Sequence, residues 1–387
     1  MIGIRRARHV LIILVTASGL GLSTAVSASA AVPITPQQAG LATLMKSYGS
    51  TYKDLIGSSF WQAALAQSTL ATYDQTTRKT SYFGDIASTY RKYLHGPNPI
   101  SRLPDFEDRY TDDTAWWGLA WLQAYLVTKN PNYLHVAEAD ADFVHEQWDT
   151  DKASCGGQGG VWWFITRSGG SGRVAIANAL FLELTAWLHN VLPGDTAYLS
   201  WAEAEWTWLN RSGLIDSRNY LVWNGFSKAP QCTVIGTYWS YDMGVIIAGL
   251  AQLYAATRNA TLLIEAEKIG TATIKYLAPH GVLADKCEPA RCQTGQQSFK
   301  GIFIRDLRML ATIARSHAYD SFFEAQRSSV EVHDTSTSEK FGLIWAGPIR
   351  KTCPTASKSR STGAPVNVCT SYTQASAEDA IVAGLAS

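Results

Sequence analysis

Two adjacent carboxylates, Asp112 and Asp113, are the residues of this sequence best suited to do chemistry. One helical turn later come two adjacent tryptophans, Trp116 and Trp117. We expect Thr111 or Asp112 to cap a helix here, which leaves an acid in the first turn, where the helix dipole favours negative charge. Residues four apart share a helix face, so each carboxylate lies above one indole. Paired carboxyls beside aromatic rings suggest chemistry on sugars, although an ordinary acidic helix start with buried tryptophans has the same pattern.

Three later segments carry a similar mixture of glycine, aromatic and charged residues. They run over Gly156–Trp163, Thr237–Asp242 and Phe299–Gly301. The glycine run lacks the Lys-Ser/Thr of a phosphate-binding loop, so we interpret it as a turn that allows close backbone approach. Each segment stands before or at the start of an apolar helical pattern.

Helical patterns repeat along the chain with a fixed spacing. Asn132–Glu138 is echoed by Ala197–Glu203 and by Thr261–Glu267, with the last glutamates 65 and 64 positions apart. An apolar helix rich in small residues precedes each echo, over 114–128, 175–192 and 243–257. A fainter fourth unit spans 303–329, so the repeating unit is a pair of helices.

A closed array of such pairs predicts an all-α fold, an (α/α)6 barrel that forms one domain over 31–387. The more apolar first helices lie inside and the amphipathic second helices outside. Five or six pairs fit the length, and six pairs require the N-terminal and C-terminal segments to contribute. The starts of the inner helices then share one mouth, where the four polar and aromatic segments converge as in a ligand site.

Five motifs of this sequence resemble glycoside hydrolase family 76. The resemblance covers about residues 45–350, and its motifs are 112–120, 159–163, 175–181, 239–244 and 299–305. It implies an endo-α-1,6-mannanase on an (α/α)6 barrel, in which Asp112 is the nucleophile and Asp113 the general acid/base. The family usually has Asn at Asp242, Lys-Asn at Arg173-Val174 and Gln at Met243, and these departures affect substrate contacts rather than the catalytic pair.

Two neighbouring aspartates suit cleavage of a glycosidic bond, which needs one carboxylate at the anomeric carbon and one acid at the leaving oxygen. The charge of Asp112 is expected to raise the pKa of Asp113, which separates attack from proton delivery. Neighbours on a helix start can hold their carboxyls about 5–5.5 Å apart, as in retaining enzymes, although adjacency alone leaves an inverting arrangement open.

Further side chains near the mouth are candidates for binding the sugar. Each tryptophan is as easily a core residue, Asp242 as easily a helix cap, and Lys300 a flanking charge. The candidates are Trp116, Trp117, Trp162, Trp163, Asn178, Trp239, Tyr241, Asp242 and Lys300.

The N-terminus and the cysteines indicate export. Arg5, Arg6 and Arg8 precede an apolar run over 10–22 and small residues at 28–30, so we predict that 1–30 is a signal peptide. We expect a secreted monomer without a lipid-anchor tail. The six cysteines permit fifteen connectivities; Cys287–Cys292 and Cys353–Cys369 are local guesses, and Cys155–Cys232 is left by elimination.

The composition argues against charged partners and cofactors. A formal charge of +1 with 17% charged residues gives no footprint for nucleic acid or an anionic membrane, and no later stretch is apolar enough to insert. No His or Cys spacing predicts a metal site, and no cofactor is expected. The partner predicted is therefore a neutral polymer, α-1,6-linked mannan or a manno-oligosaccharide.

Two other functions stay open at this point. A transglycosylase would pass the mannosyl intermediate to a sugar acceptor, as the anchored fungal relatives of the family are thought to do. A carbohydrate-binding protein that lost catalysis would keep the cleft, but both Asp112 and Asp113 are present.

Overall fold

The computed structural model describes residues 35–51, 60–98, 100–166, 172–227, 231–288, 292–349, 353 and 367–385. The predicted signal segment 1–30 lies outside these residues. The described residues form twelve α-helices: α1 (Pro36–Thr51), α2 (Phe60–Thr77), α3 (Phe83–Tyr93), α4 (Thr111–Thr128), α5 (Pro131–His145), α6 (Ala175–Val191), α7 (Ala197–Ser212), α8 (Ser240–Thr257), α9 (Ala260–Leu277), α10 (Phe299–Ala314), α11 (Asp320–His333) and α12 (Ser371–Leu385). They also include a 3-10 turn, Gly295–Ser298, and a two-stranded antiparallel ribbon of β1 (Gly225–Phe226) and β2 (Val234–Ile235).

Six of the helices close into an inner ring. In order around the ring, α2, α4, α6, α8, α10 and α12 each pack on the next, and α12 packs on α2. The inner helices are buried along most of their length, whereas α5, α7 and α9 bury one face and expose the other. Because outer helices alternate with inner ones along the chain, the predicted (α/α)6 barrel is confirmed, with the 64–65-residue echoes on its outer layer.

The N-terminal and C-terminal segments complete the ring, as a barrel of six helix pairs requires. Helix α2 lies before the repeats and α12 after them, where the motif resemblance had already ended. The sequence analysis did not predict α12, because its buried positions include Gln374, Ser376, Glu378 and Asp379. Polar side chains at these positions hide the apolar helical period that would have revealed the helix.

Glycines allow the inner helices to approach closely. A methyl group on Gly301 of α10 would lie 2.5 Å from the Cα atom of Ser376 in α12, and one on Gly244 of α8 would lie 2.7 Å from that of Phe303 in α10. No side chain fits in such spaces, so glycine at these two positions sets the spacing of the ring.

The start of α4 differs from the prediction. Its cap residue is Tyr110, which makes no side-chain capping bond, so neither Thr111 nor Asp112 is the cap. The Thr111 hydroxyl instead donates to the Trp162 carbonyl at 2.8 Å, and the Thr111 amide donates to the Trp163 carbonyl at 3.0 Å. These bonds replace the cap and fix the 162–163 segment beside the two aspartates.

Three disulfides join Cys155 to Cys232, Cys287 to Cys292 and Cys353 to Cys369, as the local and remaining pairings predicted. Among the residues that the structure describes, every helix is too short or too polar to cross a bilayer.

Candidate active site

A cavity of about 280 Å³ opens where the inner helices begin. Its floor carries two carboxyl groups, from the first turn of α4, and its walls are six aromatic side chains from α2, α4, α8, α10 and the loops before α4 and α6. The lining residues are Trp61, Tyr110, Asp112, Asp113, Trp116, Trp163, Tyr241 and Phe299. Asp112 and Tyr241 therefore share one mouth, as the barrel model required.

Asp112 is held by a neighbouring indole. Trp163 Nε1 donates to Asp112 Oδ1 at 2.9 Å. Burial raises the pKa of Asp112 to about 7, while the Trp163 bond and the amides of Asp112 and Asp113 work in the opposite direction. These donors stabilise the carboxylate form, so Asp112 ionises more readily than burial alone would allow.

Asp113 lacks such donors, and its proton is held more tightly. Burial raises the pKa of Asp113 well above its ordinary value, and the charges of Asp112 and Asp108 raise it further. Asp108 lies behind the pair and is itself buried, where it accepts hydrogen bonds from the Asn98 side chain and the Tyr110 amide. Both pKa values are raised, but Asp112 has hydrogen-bond donors that favour its ionised form, whereas the charge of Asp112 makes Asp113 hold its proton more tightly, which is the usual division between base and acid.

The aromatic walls are paired rings. Trp61 and Trp116 stack with centroids 6.1 Å apart, and Tyr110 meets Trp163 at 4.8 Å. The Tyr241 and Phe299 rings are parallel within 4° at 3.7 Å. Flat apolar surfaces around two carboxyls fit the apolar face of a sugar ring better than they fit a charged ligand.

Tyr241 also brings a polar group to the cavity. Burial, and then the charges of Asp242 and Asp112, raise the pKa of the Tyr241 hydroxyl well above its usual range. The hydroxyl therefore stays protonated and can donate a hydrogen bond to a substrate or to a carboxylate.

The cavity gathers three of the aromatic residues that the sequence singled out, Trp116, Trp163 and Tyr241. It also contains Trp61, Tyr110 and Phe299, which were not among the predicted sugar contacts. Tyr110 and Phe299 adjoin predicted site residues. Trp61 stands in the first turn of α2, so identifying α2 as an inner helix would have placed it at the mouth.

Two predicted contact residues lie in the core and not in the cavity. Trp117 is fully buried between Phe60 and Phe106, with ring centroids 5.2 and 4.9 Å away. Asn178 is fully buried too, and its side chain bonds the Val161 amide at 2.7 Å and the Val161 carbonyl at 3.2 Å. Trp117 belongs to the interior because the helix turns by about 100° per residue, which points it away from the face of Trp116.

Lys300 is likewise not a cavity residue. Its ammonium group is buried, lies 2.9 Å from Glu288 Oε1, and donates to the Leu343 carbonyl at 2.6 Å. The Asp285 amide donates to Glu288, and Asp285 in turn accepts bonds from the amide and hydroxyl of Ser240. Lys300 thus supports the start of α8, one residue before Tyr241.

The other three candidates lie next to the cavity without lining it. Asp242 is fully buried, and neither of its oxygens has a hydrogen-bond partner among the described residues. The Trp239 ring is 5.7 Å from that of Phe299, and the Trp162 ring lies 5.9 Å from the Arg173 guanidinium.

Arg173 accounts for one departure from the family pattern. Its guanidinium is buried and donates to the carbonyls of Cys155, Gly157 and Gly159. Gly157 and Gly159 have φ of +76° and +114°, the left-handed backbone that glycine tolerates. The glycine run is therefore a turn, as predicted. The hydrogen bonds from Arg173 hold it in place before Trp163.

In the described part of the chain, no three His, Cys, Asp or Glu side chains group as metal ligands would. Independence from metals stays a prediction.

Comparisons with known proteins identify the family of this chain. The model of glycosyl hydrolase family 76 matches residues 38–380. Mannan endo-1,6-alpha-mannosidase DCW1 of Saccharomyces cerevisiae is 27% identical over 66% of this chain, and DCW1 of Candida albicans is 31% identical over 52% of it. The chain spans 58% and 47% of the lengths of these two relatives.

A solved structure has the same fold. It is an inactive variant of the α-1,6-mannanase of a Salegentibacter species, with two adjacent aspartates replaced by alanine, in complex with α-1,6-mannotetrose. It superimposes with a TM-score of 0.73 at 19% identity and covers 91% of this chain and 99% of that chain. Since the family model covers nearly all of the described residues, the chain belongs to glycosyl hydrolase family 76.

Proposed function

We propose that this protein is a secreted endo-acting glycoside hydrolase that cleaves α-1,6-mannosidic bonds with retention of configuration. The observation that carries the proposal is the cavity, where two neighbouring carboxyls, one of which holds its proton more tightly than the other, lie among aromatic walls. The α-1,6-mannoside comes from the named activity of the relatives, and the adjacent aspartates of the inactive Salegentibacter variant support the same pair here.

In the first step Asp112 attacks the anomeric carbon of the bound mannose. The bond from that carbon to the leaving oxygen breaks, and Asp113 gives its proton to that oxygen. The Trp163 indole orients Asp112 and favours its ionised form while the sugar passes through its oxocarbenium-like state. The product of the step is a β-mannosyl ester of Asp112 and a free sugar hydroxyl.

In the second step Asp113, now ionised, takes a proton from a water molecule. The water oxygen bonds to the anomeric carbon, the ester bond to Asp112 breaks, and the second inversion restores the α configuration. Both aspartates return to their starting protonation states. Neither step draws on a metal or a cofactor, since the two carboxyls supply the nucleophile and the proton.

Export is part of the proposal. Disulfides persist in oxidising compartments, and all six cysteines of this chain are paired. The arginine-flanked apolar run over 10–22 supports the same conclusion.

The proposal is tested by incubating the full chain with linear and branched α-mannans and measuring product sizes over time. Endo cleavage of the linear polymer gives a rapid fall in mean length and a series of short oligomers, unchanged by a chelator. Release of mannose alone, activity that returns only with a divalent ion, or products longer than the substrate would each contradict a part of it. The Asp112→Ala/Asp113→Ala double variant is the matched control.

A further inference from the structure

A second and larger cavity lies on the outside of the barrel, against α9. It encloses about 760 Å³, compared with about 280 Å³ at the catalytic pair. One wall is the loop 218–221 that follows α7, the other is one face of α9, and Tyr238 closes the end. We call it the tyrosine groove, because Tyr220, Tyr238 and Tyr276 supply its rings.

The rings of the groove are partly exposed, with Lys286 over one face of Tyr276 and Lys268 over one face of Tyr220. Tyr276 is 37% exposed and meets the edge of Tyr238 at 5.5 Å and 84°. Tyr238 is itself braced from behind by Trp223 at 4.4 Å. Two rings held at right angles on the surface form a corner with apolar faces and phenolic edges.

The loop that carries Tyr220 is rigid. Buried Asp216 accepts bonds from the Arg218 amide at 3.0 Å and from the Arg218 guanidinium at 3.1 and 3.0 Å. Tyr220 has φ of +60°, and its amide donates to the Asp216 carbonyl at 2.7 Å. A bulky residue in this left-handed conformation costs about 1 kcal/mol or more, and such strain is typical of sites that fix a side chain for contact with a ligand.

Two of the four charged side chains that line the groove are ion-paired with neighbouring carboxylates, and the other two, Glu267 and Lys275, are of opposite sign. Arg218 is neutralised by Asp216, and Lys268 bonds Glu265 at 2.8 Å. The Lys286 ammonium group lies over the Tyr276 ring, 4.1 Å from its centroid. A groove with aromatic faces, compensated charges and hydroxyl groups complements a neutral ligand that has both apolar faces and hydroxyls, which describes a carbohydrate.

The groove and the catalytic cavity lie at the same end of the barrel. Helix α9 follows α8 after two residues and packs against it, so it runs back and places Tyr276, near its C-terminus, beside the start of α8. Tyr238 lines the groove and Tyr241 lines the catalytic cavity, three positions along one segment. The two sites are therefore linked by the chain segment 238–241.

From these observations we infer that the tyrosine groove is a second carbohydrate-binding site, which holds a polymer chain outside the catalytic cavity. The identification of that polymer as α-1,6-mannan rests on the proposed function. Such a site raises the local concentration of a long substrate, so its effect grows with polymer length.

The test measures retention of the full chain in native gels cast with linear α-1,6-mannan, α-glucan or β-glucan. The Asp112→Ala/Asp113→Ala variant serves as the parent, because it leaves the polymer intact. Adding Tyr276→Ala or Tyr220→Asn is expected to weaken retention about five- to ten-fold. Asn tolerates the left-handed backbone, so the second change removes a ring without adding strain.

Tyr254→Ala is the matched control. Tyr254 also lies under a cation, Arg258 at 5.8 Å, but at the far end of α8. Retention equal to the parent in both groove variants, or no retention of the parent on any polymer, overturns the inference. Retention lost equally in the Tyr254 variant overturns it as well.

Failure of the proposed function has a different signature. If the unmodified chain cleaves no mannan, and the parent is still retained on a neutral polymer in a Tyr276-dependent way, the groove is a carbohydrate site and only the proposed reaction is wrong.

Discussion

Two sets of buried carboxyl groups in this molecule can be compared, one sealed in the interior and one open to the cavity. Asp140 on α5 and Glu205 on α7 are fully buried, and their oxygens have no hydrogen-bond partner among the described residues. Asp112 and Asp113 on α4 are half-buried and open into the catalytic cavity. In all four groups burial raises the pKa, so a raised pKa alone does not mark a catalytic residue.

The difference lies in access and in pairing. The cavity carboxyls face a space that admits a substrate, and a donor from Trp163 makes one of them more acidic than the other. The sealed carboxyls have no hydrogen-bond donor among the described residues, and burial raises the pKa of both well above its ordinary value, which favours the protonated form. Asp242 belongs with the sealed set despite its position beside Tyr241, because it is fully buried and unpartnered among the described residues.

The largest expected effect separates the roles within the cavity pair. Asp112→Ala is expected to abolish turnover of every substrate, by about 10⁴-fold or more, since no glycosyl-enzyme can form. Asp113→Ala should still form the intermediate from a substrate with a good leaving group and then stall. Added azide should restore release, because a small anion needs no general base.

The anomeric configuration of the azide product shows which aspartate is the nucleophile. Rescue of Asp113→Ala gives α-mannosyl azide after two inversions, and rescue of Asp112→Ala gives the β-azide by one, as NMR of the adducts distinguishes. The opposite assignment would mean that the two roles are exchanged. A β-configured first product from the unmodified enzyme would mean that it inverts.

The second prediction tests whether Lys300 belongs to the sealed interior. Lys300→Met leaves Glu288 buried without its cation, which is expected to lower the free energy of unfolding by about 3–5 kcal/mol. Replacing both partners, as Lys300→Met/Glu288→Leu, should recover much of the loss. Urea unfolding measures both. A variant that unfolds like the unmodified chain but binds mannan poorly would return Lys300 to the sugar contacts that the sequence suggested.

The sequence predicted the barrel because its signals are local and repeated. The repeated segments that end in Glu138, Glu203 and Glu267 indicated the outer helices, and the motif around Asp112 indicated the mouth of the barrel. The sequence could not show which residues of a motif face the cavity and which face the packed core. Trp117 and Lys300 adjoin cavity residues in sequence, but both side chains are buried in packed interfaces. Which side of α4 and α10 is buried depends on how these helices cross their neighbours, and a local motif does not contain that information.

The third prediction concerns a sealed carboxyl. Burial raises the pKa of Asp140 well above its ordinary value of 3.8, so the folded state holds a proton that the unfolded chain releases. The native state then binds more protons, and stability falls as pH rises above about 4. Asp140→Asn is expected to remove this decline, with a gain of about 1–3 kcal/mol at pH 8 relative to pH 4.5.

Urea unfolding of both chains at the two pH values provides the measurement. Asp216→Asn is the control of opposite sign, because the bond from Arg218 lowers the pKa of Asp216 and its stabilisation is lost as pH falls. Parallel pH curves for Asp140→Asn and the unmodified chain would show that Asp140 is hydrated and not sealed.

The prediction with the smallest expected effect concerns the hydrogen bond from Trp163 to Asp112, which the sealed carboxyls lack. Trp163→Phe keeps an aromatic ring beside Tyr110 but removes the 2.9 Å bond to Asp112. That bond lowers the pKa of Asp112 against the effect of burial, so its loss raises the pKa. Because Asp112 must be ionised to attack, the acid limb of the kcat/KM profile is expected to move up by about one pH unit.

Trp162→Phe is the matched control for this shift. The Trp162 indole nitrogen is buried and has no hydrogen-bond partner among the described residues, so removing it should leave the acid limb in place. If Trp163→Phe raised KM and left the acid limb unmoved, Trp163 would act only as a surface for the sugar. A shift of the acid limb of the kcat/KM profile at nearly constant KM would instead mean that the hydrogen bond from the Trp163 indole lowers the pKa of Asp112. That one bond would then distinguish the nucleophile from the sealed carboxyls.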